Sequence, residues 1–216
     1  MKVLTTAILT MAMCMFGMAQ TETKDKKPAE KSAMSHSHDH DKAPAAGTEM
    51  PKPPAEIQKM MPMVGTWSAT IKTEPGPWLP KGGTDKGSMV VKKGPGGFSV
   101  VQDFKSNGAM GPFVGHGNIW WDKDANHYKN LWCDSMAGCT QATSKMDGDK
   151  KWTMDMPGEY QGKKMATTIN GSMSDDGNSM HEEFMQSLDG APATKTMTID
   201  YKRVGKAMAT KQAAKE

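Results

Sequence analysis

The stretch GHGNIWWDKDANHYKNLWCDSMAGCTQATSKMD, residues 115–147, holds three tryptophans and two cysteines. Its short aromatic-rich runs are broken twice, at Lys123-Asp124-Ala125-Asn126 and at Ser135-Met136-Ala137-Gly138. Runs of this length read as strands, and Asp, Asn, Ser and Gly are the residues that bend a chain tightly back on itself. The stretch therefore predicts strands joined by hairpin turns. Asp122, Asp124 and Asn126 imitate the start of a calcium loop, but His127 stands where that loop needs glycine and Cys133 where it needs its closing glutamate. A turn, closed by Asp and Asn side chains on their own backbone, is the better reading. If the chain reverses around Met136, Cys133 and Cys139 face each other on adjacent strands, which predicts a structural disulfide. Along residues 127–135, Tyr128, Asn130, Trp132 and Asp134 share one face and Lys129, Leu131 and Cys133 the other. Period alone does not say which face is inside. Trp120 and Trp121 are neighbours and must point to opposite sides.

The same grammar extends outward in both directions. Trp67, Ala69 and Ile71 alternate with Ser68, Thr70 and Lys72 after Gly65, and the runs SMVVKK, GFSVVQDFKS, KWTMDMP, KKMATTINGSMS, NSMHEEFMQSL and KTMTIDYKR continue it. Turn-forming breaks such as GPG, NGAMGP, GEYQG and DDG separate them, after one longer Pro/Gly loop, EPGPWLPKGGTDKG. Roughly ten short strands joined mainly by tight turns predict an all-β antiparallel meander, and a sheet that long gains by curling until its edges meet. An up-and-down closed barrel of about ten strands, lipocalin-like, is the expected architecture, with a two-sheet sandwich as its rival. Ile57, Met60, Met61 and Val64 recur at helical spacing, so a short N-terminal helix leads into the first strand.

The ends read differently. MKVLTTAILTMAMCMFGMAQ has a lysine, an apolar run and small residues at Gly17 and Ala19, which predicts a signal peptide over 1–19 and a secreted or periplasmic protein. Met13 before Cys14 argues against a lipoprotein site. Residues 20–54 are polar, rich in Pro and Ala and without an aromatic, a disordered tether by composition. The barrel is expected over 55–203, with a Lys/Ala tail over 204–216. No segment after the leader is expected to span a membrane. With 27 basic and 24 acidic residues and no basic stripe, nucleic acid is not an expected partner. Nothing in the sequence sets an oligomeric state.

Taken in order, MVGTWSATIK, GPGGFSVVQDFKSNGAMGPFVGHG, YKNLWCDSM, GEYQGKK and MTIDYKR resemble a family of exported bacterial proteins known as domain of unknown function 1579, across about Glu56 to Arg203. The resemblance implies a lipocalin-like closed barrel and leaves activity open. It marks Gly65, Trp67, Gly97, Gly111, Phe113, Trp132, Asp134, Glu182 and Tyr201 as the family's positions. Two departures stand out: Phe98 after Gly96-Gly97, where the family commonly has arginine, and Val114 after Phe113, where it often has glutamate. If those charges line the family's cavity, this cavity is less charged.

Three functions are open at this stage. A barrel of this size has room for one small apolar or amphipathic ligand, with Trp67, Phe98, Phe104, Trp132, Glu182, Phe184 and Tyr201 as candidate wall and Asp134 as polar anchor; a filled core would use the same side chains. SHSHDHD in the tether places His36, His38 and His40 at alternate positions, a pattern that can hold copper or zinc loosely, or equally a solvated linker. The domain's methionines are expected as core fillers rather than copper ligands. An enzyme would have to use a cavity carboxylate such as Glu182, because HExxH, GxSxG and phosphate loops are missing; His181 shares a face with Glu183 and not with Glu182. His116 and His181 are the strand histidines that haem ligation would need. No catalytic residue and no cofactor is assigned from the sequence.

Overall fold

Alternation after Gly65 becomes ten strands in the computed structural model, which describes residues 51–206 except Trp78 and Met110. The expected leader, most of the tether with His36, His38 and His40, and residues 207–216 of the tail lie outside the described residues. The strands are β1 (Gly65–Thr73), β2 (Gly83–Lys93), β3 (Ser99–Gly108), β4 (Gly111–Asp122), β5 (His127–Asp134), β6 (Gly138–Asp147), β7 (Lys151–Tyr160), β8 (Lys163–Met173), β9 (Ser179–Leu188) and β10 (Thr194–Lys206). Each pairs antiparallel with its sequence neighbours, and β1 pairs with β10, so the meander closes into an up-and-down barrel. Closure pairs the first and last strands, which would otherwise be free edges, and this favours the barrel over the sandwich for this strand series.

Boundaries moved where a turn residue was absorbed into a strand. β2 begins at Gly83, inside the expected Pro/Gly loop; β7 runs through Pro157 to Tyr160; β10 runs past Arg203 to Lys206. The turn at Asp122 is as expected: its Oδ1 accepts the amides of Asp124 and Ala125 at 3.0 Å each, and Asn126 takes φ +54°.

Helix α1 (Ala55–Met60) and a 3-10 turn at Met61–Met63 plug one end. Ile57, Met60 and Met63 are buried, each stabilising by about 2 kcal/mol. The plug is tied by polar bonds as well. Arg203 donates to the carbonyls of Val64 (2.9 Å), Pro62 (2.7 Å) and Gly177 (2.9 Å), and lies 4.0 Å over the Trp67 ring. Tyr128 donates to Glu56 O at 2.8 Å, and burial raises its phenol to about 12. Among the described residues no helix is long and apolar enough to cross a membrane.

Candidate functional site

Strand parity and burial settle which face is inside. On β5 the buried Tyr128 and Asn130 put Trp132 and Asp134 inward as well, and Cys133 outward. Inward residues next to the plug are packed: Trp67, Val91, Val100, Ile119 and Tyr201 form one core with the helix. Toward the other end the inward row opens. On β9, Met180 is buried, whereas Glu182, Phe184, Gln186 and Leu188 are only partly so. The interior is thus a packed floor under a lumen that opens at the mouth.

Two tryptophans lie flat on the lumen wall because glycines face them. A Cβ at Gly115 or Gly117 would come within 2.2 or 3.0 Å of the Trp132 ring, and one at Gly171 within 1.8 Å of Trp152. Each indole then reaches a carboxylate: Trp132 Nε1 donates to Asp134 Oδ2 at 3.0 Å, and Trp152 Nε1 to Glu182 Oε1 at 3.3 Å. The two acids differ. Asp134 stands at the rim, where its Oδ1 also accepts the amides of Met136 and Ala137 at 2.8 Å each and closes the turn. Glu182 lies mid-barrel, opposite Gly171 and Ile199, and accepts from Tyr201 Oη at 2.9 Å. Burial holds its carboxyl above the ordinary range, although both donors pull the other way. The Tyr201 phenol is pushed well up by burial and by Glu182, so it stays a donor.

Across the barrel, Asn130 is 3% exposed and its Nδ2 donates to Ser144 Oγ at 3.0 Å, while its Oδ1 has no partner. Phe104 packs edge-on against Phe113 with centroids 5.9 Å apart.

Of the expected wall, Phe104, Trp132, Glu182, Phe184 and Tyr201 do face inward. Trp67 is fully buried in the floor. Phe98 is a correction: it follows the turn Pro95–Gly97, where its amide donates to Pro95 O, and is 41% exposed outside the barrel. Val114 is outward and exposed too, so the two departures from the family pattern alter the outer surface and not the lumen. Asn130, Ser144, Trp152 and Gly171 belong to the site and were not singled out from sequence; the alternation of Trp152, Met154 and Met156 in KWTMDMP was the available signal.

The remaining candidates lie outside the lumen. Cys133 and Cys139 are directly paired and form a disulfide on the outer face, closing a loop worth roughly 2 kcal/mol. His116 and His181 point outward, 2.8 Å from Asp103 and 2.7 Å from Asp200, and Glu183 pairs with Lys195, so neither histidine faces the cavity nor joins a catalytic pair with Glu183. Among the described residues no group of three His, Cys, Asp or Glu side chains is placed to hold a metal.

One seam of the barrel is parted. β6 and β7 pair only from Thr143↔Asp155 to Asp147↔Lys151, leaving residues 138–142 and 156–160 without each other. A groove of about 440 Å³ occupies the parting, lined by outward Gln141, Thr143, Asp155 and Thr168 and by inward Ala142, Met156 and Thr167. Pro157 sits in it, as a proline can where its strand is an edge.

A plugged ten-stranded antiparallel barrel with a carboxylate inside its lumen is the class these features define. The chain belongs to the family described as protein of unknown function (DUF1579), whose model matches residues 52–203. Its fold is similar to that in the crystal structure of Rv2717c from M. tuberculosis, with a TM-score of 0.51 and 13% identity over 70% of this chain and 99% of that one. No curated protein matches the sequence.

Proposed function

We propose that the lumen binds a small amphipathic molecule. The observation that carries this reading is the inward row of β9: Glu182 and Phe184 stand mid-barrel yet keep part of their surface accessible, as the wall of a filled core would not. The lining supports it. Aromatic faces offer apolar area, and Met154, Met156 and Met197 are adaptable fillers that accommodate ligands of varied shape. Entry is available at the mouth and, for a slender ligand, at the parted β6–β7 seam. The leader sequence and the disulfide support a site of action outside the reducing cytosol.

Native mass spectrometry of the protein from its own host, without reductant, tests the reading. The expected spectrum has a discrete added mass of a small organic molecule that is lost on denaturation. A bare mass, together with unchanged tryptophan emission on titration with amphiphiles, would overturn it.

A further inference from the structure

The polar groups of the lumen are not a random set. The acids at inward positions are Asp85, Asp134 and Glu182, and no lysine or arginine of the described strands faces the lumen between plug and rim: Lys93 and Arg203 belong to the plugged end and Lys163 to the exposed rim. Asp85 and Asp134 have local amides to hold them, from Ala109 and from Met136 and Ala137. Glu182 does not: its partners are the neutral donors Tyr201 and Trp152. A deep carboxylate held chiefly by neutral donors keeps part of its desolvation cost, which a positively charged guest would offset.

Resting on the small-molecule reading above, we infer that the lumen selects an organic cation: an amphipathic amine whose ammonium group docks on Glu182. The apolar part of the amine runs toward the mouth along Trp132, Phe184 and Met197. Burial holds the Glu182 carboxyl above the ordinary range, so amine binding favours its ionised form and strengthens as pH rises through its titration.

The test is a calorimetric titration of the full chain with decylammonium, decanol and decanoate, each below its micelle concentration. The amine is expected to bind about tenfold or more tightly than the alcohol, with decanoate weakest. Glu182→Gln is expected to abolish the preference for the amine over the alcohol, and a retained cooperative melting transition reports that the variant is folded. Amine affinity should fall as pH falls through the Glu182 titration. Equal or tighter binding of decanol or decanoate, or a preference that survives Glu182→Gln, overturns the cation and leaves the lumen reading standing. Absence of binding by all three overturns both.

Discussion

Gly171 is where one missing side chain shapes the lumen. Trp152 lies across its backbone, and a methyl group there would sit 1.8 Å from the indole. Gly171→Ala must therefore push Trp152 off the wall and away from Glu182, a strain of about 1–3 kcal/mol that urea unfolding would report. Glu182 itself gives a signed pH effect. Its native carboxyl titrates above the unfolded one, so the native state holds the extra proton, and this group's contribution to stability falls as pH rises past the unfolded value. Glu182→Gln is expected to remove that part of the slope, leaving the variant relatively more stable at neutral pH than in acid. Melting curves of both proteins across that range check it; a difference that does not grow with pH would contradict a carboxylate raised by burial. Neither residue's role was legible in the sequence. Glu182 was expected in the wall, but not its neutral partners, and Gly171 read as an ordinary strand residue in NGSM, because what it faces is set by Trp152, nineteen residues away.

Strands β6 and β7 belong together as an element, a hairpin closed tightly at the Asp147↔Lys151 end and parted at the other. Backbone amides of residues 138–142 and 156–160 that point into the parting have no ladder partner across it. Hydrogen exchange is expected to be fast for these amides and slow for those of 151–155 that pair across to β6. Uniform protection along β7 would show the seam closed in solution. Pro157 was the sequence's clue. It reads as the end of a strand, and it is instead a residue inside a strand that has an edge there, since a proline tells of a missing donor and not of where the chain turns. The hairpins on either side of Trp132 were legible because their turns are local: Asp122 and Asp134 each bond amides two and three residues on.

For the molecule as a whole, Arg203 binds the plug to the last strand through the carbonyls of Pro62 and Val64, and to the β8–β9 turn through Gly177. Arg203→Ala is expected to cost about 3 kcal/mol and to loosen the plug, read as a lowered melting temperature with greater exposure of Trp67 to a fluorescence quencher. A lowered melting temperature with Trp67 still shielded would place the loss elsewhere. The number of strands, their antiparallel order, the helix before them and the disulfide were determined by the sequence alone, because period, turn chemistry and the spacing of two cysteines act over a few residues. Tertiary structure decided which face of each strand is the lumen. It alone placed Phe98 and Val114 outside, left Glu182 among neutral donors, and buried Asn130 against Ser144. Those outcomes depend on register around a closed ring, where a side chain's environment is set by strands distant in sequence, and no local pattern carries that information.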